Sequence, residues 1–127
     1  MKKMFLLFSH TLTEDQQNNA RSEFGIDQFI PLSAELQSIW SNIPADAIEL
    51  HAILEPIKKF LREAFRAGDV ALIQGDFGAT CHLAHFVREL GGIGVYATTV
   101  RDVVEKEENG VIVKTSIFKH VRFRVFG

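Results

Sequence analysis

The stretch LIQGDFGAT, Leu72–Thr80, passes from an apolar run through two glycines and an aspartate into residues that read as a helix. Strand, tight turn, helix is the repeating unit of a parallel α/β protein, so this stretch sets the fold class. Its middle, Asp76-Phe77-Gly78, also spells the magnesium motif of protein kinases. That reading fails, because no glycine-rich nucleotide loop and no His-Arg-Asp loop lies upstream. It is not a Walker A loop either, since no Gly-Lys-Ser/Thr follows. A phosphate cradle, a metal site and a plain turn that needs small residues remain as readings, with Asp76 as a cap for the following helix.

Working outward, Val70–Ile73 is a strand and Leu83, Phe86, Val87 and Leu90 mark the helix after the turn. Gly91-Gly92 then turns the chain into a strand over Ile93–Ala97. Upstream, Met4–Phe8 is a continuous apolar run, as expected for a strand covered on both faces. Thr13 with Gln16 forms a capping box for a polar helix that ends at Gly25. Phe29–Leu32 reads as a short strand, and Pro31 assigns it to a sheet edge. Ser33 caps a helix carrying Leu36, Ile39, Trp40 and Ile43 and stopped by Pro44. Leu50, Ile53, Leu54, Ile57, Phe60, Leu61, Ala64 and Phe65 recur at helical steps up to Gly68, with Pro56 set either to kink this helix or to split it.

The tail changes character. Asn109-Gly110 between alternating segments predicts a two-residue hairpin turn, with Glu105 facing Lys114 and Val104 facing Thr115. In the last segment Val121, Phe123 and Val125 alternate with His120, Arg122 and Arg124. The expected fold is one domain over residues 1–127. It is an α/β, compact Rossmann-like three-layer sandwich with a mainly parallel sheet (1–100), followed by a C-terminal β-hairpin and strand (101–127).

The 127 residues suffice for one real core but are few for a complete dinucleotide-binding fold. A net charge of −2 argues against sequence-independent binding to long nucleic acid, so any anionic ligand needs a local basic cluster. The single cysteine, Cys81, allows neither an internal disulfide nor a cysteine-rich zinc site. The apolar run near Met1 is too short for a signal peptide, and no stretch approaches the ~20 apolar residues of a membrane span. A cytoplasmic protein with no membrane association is expected.

Ligands of open parallel sheets bind beyond the carboxyl ends of the strands, near the switch in strand order. Three groups are predicted at such ends: Ser9, His10 and Thr11; Gln74, Gly75, Asp76, Gly78 and Thr80; Thr98, Thr99 and Arg101. Hydroxyls, backbone amides, an imidazole, a carboxylate and a guanidinium on one rim suit phosphate and ribose. Each also has an ordinary role as cap or turn residue. His82 and His85, three apart on a helix, lack matching acidic or cysteine ligands, so no metal and no cofactor is expected. The chemistry that remains is a phosphodiester held by amides, arginines and hydroxyls, with histidine moving the proton.

FLLFSHTLT, IWSNIP, LIQGDFGAT, VYATT and FKHVRFR follow one another across almost the whole chain. Together they resemble a family of small CRISPR-associated accessory proteins of type III systems, related to CARF-type Rossmann-like sensors and similar to stand-alone ring nucleases. The resemblance implies a homodimer that holds a cyclic oligoadenylate across its two-fold axis and linearises it without a metal. It implies ligand contacts from Ser9, His10 and Thr11 and from Gly75, Asp76, Gly78 and Thr80. His10, with His120 as the second candidate, would transfer protons, and Arg101, Lys119 and Arg122 would supply positive charge. A non-catalytic binder of the same ligand, a module docking its hairpin on a CRISPR effector, and an enzyme for another nucleotide are the rival readings.

Overall fold

The computed structural model describes all residues, Met1–Gly127. In chain order it contains β1 (Lys3–Leu7), α1 (Glu14–Phe24), β2 (Gln28–Pro31), α2 (Ala34–Ser41), α3 (His51–Ala64), β3 (Val70–Ile73), α4 (Phe77–Glu89), β4 (Ile93–Glu108) and β5 (Val111–Val125). The strands form one sheet in the order β2-β1-β3-β4-β5. β1 to β4 run parallel, and β5 returns antiparallel to β4. The expected α/β sandwich with a mainly parallel sheet and a C-terminal hairpin is therefore the observed fold.

Period-two alternation divides the central strands between two cores. Phe5, Leu7, Ala71 and Ile73 point to the side covered by α2, α3 and α4, where Trp40, Leu54, Ile57, Leu61, Leu83 and Val87 meet them. Met4, Val70, Leu72 and Val95 point to the other side, closed by Leu12, Ala20, Ile26 and Phe123. Only α1 covers this second side, and of its own residues only Gln16 and Ala20 are buried. Phe123 of β5 therefore completes a layer that one polar helix leaves thin.

Local signals worked where chemistry is local. Thr13 and Gln16 make both bonds of the capping box, and Gly25 ends α1 in the left-handed conformation at φ 65°. Pro31 sits on the sheet edge as expected, although β2 begins and ends one residue earlier than the apolar run suggests. α3 passes through Pro56 as one helix, and it ends at Ala64 rather than at Gly68 because Phe65 turns extended to pack into the core. At the other end of the sheet, buried Asp69 accepts from the amides of Lys3 (3.1 Å) and Arg66 (2.9 Å) and pairs with the Lys3 ammonium (3.3 Å). That carboxylate ties β1 and the α3–β3 turn together.

Two expectations about the tail are corrected. The fourth strand does not stop at Ala97: β4 continues to Glu108, because β5 supplies ladder partners from Val95↔Val125 to Glu108↔Val111. Thr98, Thr99 and Arg101 thus lie inside a strand, and hairpin and last strand are one element. The regular alternation of the last segment is also broken. Thr98 pairs with Arg122 and Thr99 with His120, which leaves Val121 as a bulge. The bulge brings His120 and Phe123 to the same side, with ring centroids 4.7 Å apart. The predicted pairs Glu105↔Lys114 and Val104↔Thr115 and the Asn109-Gly110 turn are all observed.

Candidate functional site

Chain order runs from β1 outward to β2, then back across to β3 and β4, so the switch in strand order lies between β1 and β3. Both strands end there in the residues singled out from the sequence. The Gln74 amide donates to the Leu7 carbonyl at 3.0 Å, joining the two strand ends. Trp40, from α2, donates its indole N–H to the Gln74 carbonyl at 3.1 Å. A Cβ on Gly75 would stand 3.0 Å from three indole atoms, so the glycine is required by the close approach of the ring beneath it. The turn after β3 is thus held from below by a buried tryptophan.

Around this floor stand the polar groups. The Ser9 and Ser41 hydroxyls are 3.0 Å apart, which ties the loop after β1 to the end of α2. His10 and Thr11 are exposed, and His10 rests edge-on against Phe8 at 5.4 Å. A cavity of about 280 Å³ opens beside them, lined by His10, Thr11, Leu12, Gln17 and Phe29. Across the switch, Asp76 caps α4 by accepting from the Ala79 amide at 3.0 Å with one carboxylate oxygen. Gly75, Asp76 and Gly78 are exposed at the start of that helix. The amides of Phe77 and Gly78, in its first turn, have no partner within the helix. The Thr80 hydroxyl is buried without a hydrogen-bond partner.

Gln74 has a structural use that its sequence position does not advertise. Its side-chain oxygen accepts from the Ala97 amide at 2.8 Å, extending the β3–β4 ladder by one bond made with a side chain. This is the link from the switch to the second cluster, at the root of the long hairpin. There the Thr98 hydroxyl donates to the Arg122 carbonyl (3.0 Å), Lys119 pairs with Asp102 (3.3 Å) and Arg122 with Glu23 (3.7 Å). Arg101 faces Phe118 across the ladder and has no carboxylate partner. His120 lies against α1, with Nε2 2.8 Å from the Asn19 side-chain oxygen and Nδ1 buried without a partner. Burial pushes its pKa below the ordinary histidine value, and Asp15 and Glu23 pull the other way. Burial thus favours the neutral imidazole, and opposite the Asn19 amide oxygen Nε2 is the nitrogen that donates.

The predicted residues therefore fall into three groups. Gln74, Gly75, Asp76, Gly78 and Thr80 follow β3 at the switch. Ser9, His10 and Thr11 follow β1, with His10 and Thr11 opening on the cavity towards β2. Thr98, Thr99, Arg101, Lys119, His120 and Arg122 gather at the hairpin root. Two features had no local signal. A groove of about 520 Å³ runs between α4 and the end of β5, lined by Phe77, Arg88, Ile93 and Phe126 among others. Between α3 and α4, Lys58 lies 3.2 Å from the His82 ring nitrogen, and the His51 and His82 rings meet at 4.9 Å. Burial, then Lys58 and the neighbouring histidines, lowers the His82 pKa. No group of three or more His, Cys, Asp or Glu side chains is arranged to hold a metal ion. No helix is long and apolar enough to cross a membrane.

Residues 2–124 match the uncharacterized protein MJ1673 family, and the chain belongs to it. It is 47% identical over 126 residues to the uncharacterized protein MJ1673 of Methanocaldococcus jannaschii, covering 99% of this chain and 98% of that protein. No solved structure matches the chain.

Proposed function

We propose that this member of the MJ1673 family binds cyclic oligoadenylate, with cyclic tetra-adenylate as the first candidate, and linearises it in the cytoplasm as a homodimer, switching off type III CRISPR signalling. The observation that carries this reading is the company around His10. An exposed imidazole, the Thr11 hydroxyl and the free first-turn amides of α4 border one strand-order switch. Such a rim accepts phosphate and ribose. The chain's own groups suffice for the step. A ribose 2′-hydroxyl attacks its adjacent phosphorus, the bond to the 5′ oxygen breaks, and a linear product with a 2′,3′-cyclic phosphate results. His10 takes the 2′ proton or returns one to the leaving 5′ oxygen. The amides offset the charge that develops on the phosphate, and Arg101, the hairpin-root cation without a carboxylate partner opposite Phe118, is the guanidinium proposed to assist them. His120 is the second candidate; with Nε2 donating to Asn19 its basic nitrogen is Nδ1, which is buried and must be uncovered before it can take a proton. The free oxygen of Asp76 is suited to a ribose hydroxyl.

The test is incubation of the purified protein with labelled cyclic tri-, tetra- and hexa-adenylate, with and without EDTA. A linear product that persists in EDTA is expected, and His10→Ala should slow it by ~10²–10⁴-fold, the usual contribution of a positioned acid or base. Full turnover by His10→Ala removes histidine 10 from the mechanism. One observation favours a non-catalytic binder: His10 has no hydrogen-bond partner to orient its ring, only the edge of Phe8. A retarded complex without any linear product would establish that second reading.

A further inference from the structure

Beyond the body of the molecule, β4 and β5 continue as a free two-stranded ribbon. From Thr99↔His120 to Glu108↔Val111 it has ten rungs, and neither hydrophobic core contains a residue from it. A free two-stranded ribbon is marginal in water. Yet this one is rich in apolar side chains left open: Val104 at 46%, Ile112 at 65%, Ile117 at 44% and Phe118 at 68% exposure. Alternation puts Val100, Val104, Val113 and Ile117 on one face and Val103, Ile112 and Phe118 on the other. Both faces are thus built for contact, and beyond His120, which rests on α1, no part of this chain covers them.

We infer that the ribbon is a clasp for a second copy of this chain, laid antiparallel so that the tip of each ribbon meets the root of the other. Charge selects that partner. Four cations (Arg101, Lys106, Lys114, Lys119) balance four carboxylates (Asp102, Glu105, Glu107, Glu108), so the ribbon has no net pull on nucleic acid or on an anionic membrane surface. The charges are not evenly spread, however. The tip holds Glu105, Glu107 and Glu108 against Lys106 and Lys114, which pair with Glu108 and Glu105, so Glu107 is left unmatched there. At the root Lys119 pairs with Asp102 and Arg122 with Glu23, while Arg101 and Arg124 have no carboxylate partner. Under a two-fold axis, tip on root brings opposite signs together at both ends at once.

Area agrees with a clasp rather than a simple stack. Ten rungs at ~3.3 Å and two strands across give each face roughly 330 Å². One face stacked on its mate buries only about 650 Å² in total, whereas ribbons covered on both faces, by the other ribbon and the other body, bury about 2,000 Å² with the body surface counted, at the upper end of the standard range of stable interfaces. On the body, the sheet face that leads into the ribbon carries Tyr96 and Phe126, whose rings meet at 4.9 Å beside the α4 groove.

This surface does not rest on the nucleotide reading, and its test uses no nucleotide. Sedimentation equilibrium of the full chain should give a dimer. Val104→Lys with Ile117→Lys, and separately Glu107→Lys with Glu108→Lys, should each weaken it by at least ~10-fold, as central contacts of an interface do. Far-UV circular dichroism would establish that the body remains folded. Mixing the Glu107→Lys/Glu108→Lys variant with an Arg101→Glu/Arg124→Glu variant should restore association between the two. A monomeric wild-type chain, a dimer indifferent to the ribbon substitutions, or no rescue on mixing would each overturn the clasp, and the first would leave the ribbon to a different protein.

Discussion

Trp40 and Gly75 act as one unit at the floor of the switch. The indole supplies both a donor for the Gln74 carbonyl and the wall that leaves no room for a Cβ on Gly75. Trp40→Phe keeps much of the apolar volume and removes the donor, so it should lower stability by about 1–3 kcal/mol in urea unfolding. Gly75→Ala should cost a similar ~1–3 kcal/mol, because an indole only 2% exposed has nowhere to retreat. The two costs are expected to combine to less than their sum, since a smaller ring makes room for the methyl; additive costs in the double-mutant cycle would separate them. His120 gives the pH dependence. Its pKa is lowered in the folded chain, so below about pH 6.5 the unfolded chain binds a proton that the folded one resists. The stability it contributes is complete above that pH and is lost as pH falls through the folded value. His82, also lowered, adds to the same trend. The urea midpoint should therefore fall between pH 7 and pH 5, and fall less in His120→Gln.

At the scale of elements, what could be read in advance was what neighbouring residues decide among themselves. The run Val70–Ile73 is buried at all four positions, as a strand covered on both faces must be. The Asn109-Gly110 turn has φ 52° and 78°, the pair of left-handed conformations that favours those two residues. Gly110→Val should therefore unsettle the ribbon and leave the body intact, seen as faster amide exchange confined to residues 99–120. What escaped the sequence depends on partners far along the chain. Thr98-Thr99-Val100 reads equally as a polar rim or as β-branched strand, and only the return of β5 settles it. The bulge at Val121 is invisible in an alternating pattern. At the switch, Ser9, His10, Thr11 and the Gly75–Thr80 turn were legible because strand ends are predictable from apolar runs. The bond from Gln74 to Ala97 and the tryptophan under Gly75 were not, since neither leaves a periodic trace.

The whole molecule divides into a body with two cores and a ribbon that belongs to neither. The last residues of β4 packed against a core lie at Ala97, and those of β5 resume at Phe123. Between them the chain makes ladder bonds and cross-strand ion pairs, such as Lys114 with Glu105 at 3.6 Å, that are exposed and worth little to the body. Removing Asp102–Ile117 and joining Arg101 to Phe118 through Asn-Gly preserves the register of the pair that remains. It also spares the bulge, His120 and the Gln74–Ala97 bridge. At concentrations where the parent is itself monomeric, the shortened chain should melt within a few degrees of it, because apolar burial within the body, which dominates its folding free energy, is unchanged. It should also sediment as a monomer. If its melting temperature instead collapses, the ribbon is part of the folding unit and the division into body and clasp is wrong; if it stays dimeric, the body carries an interface of its own.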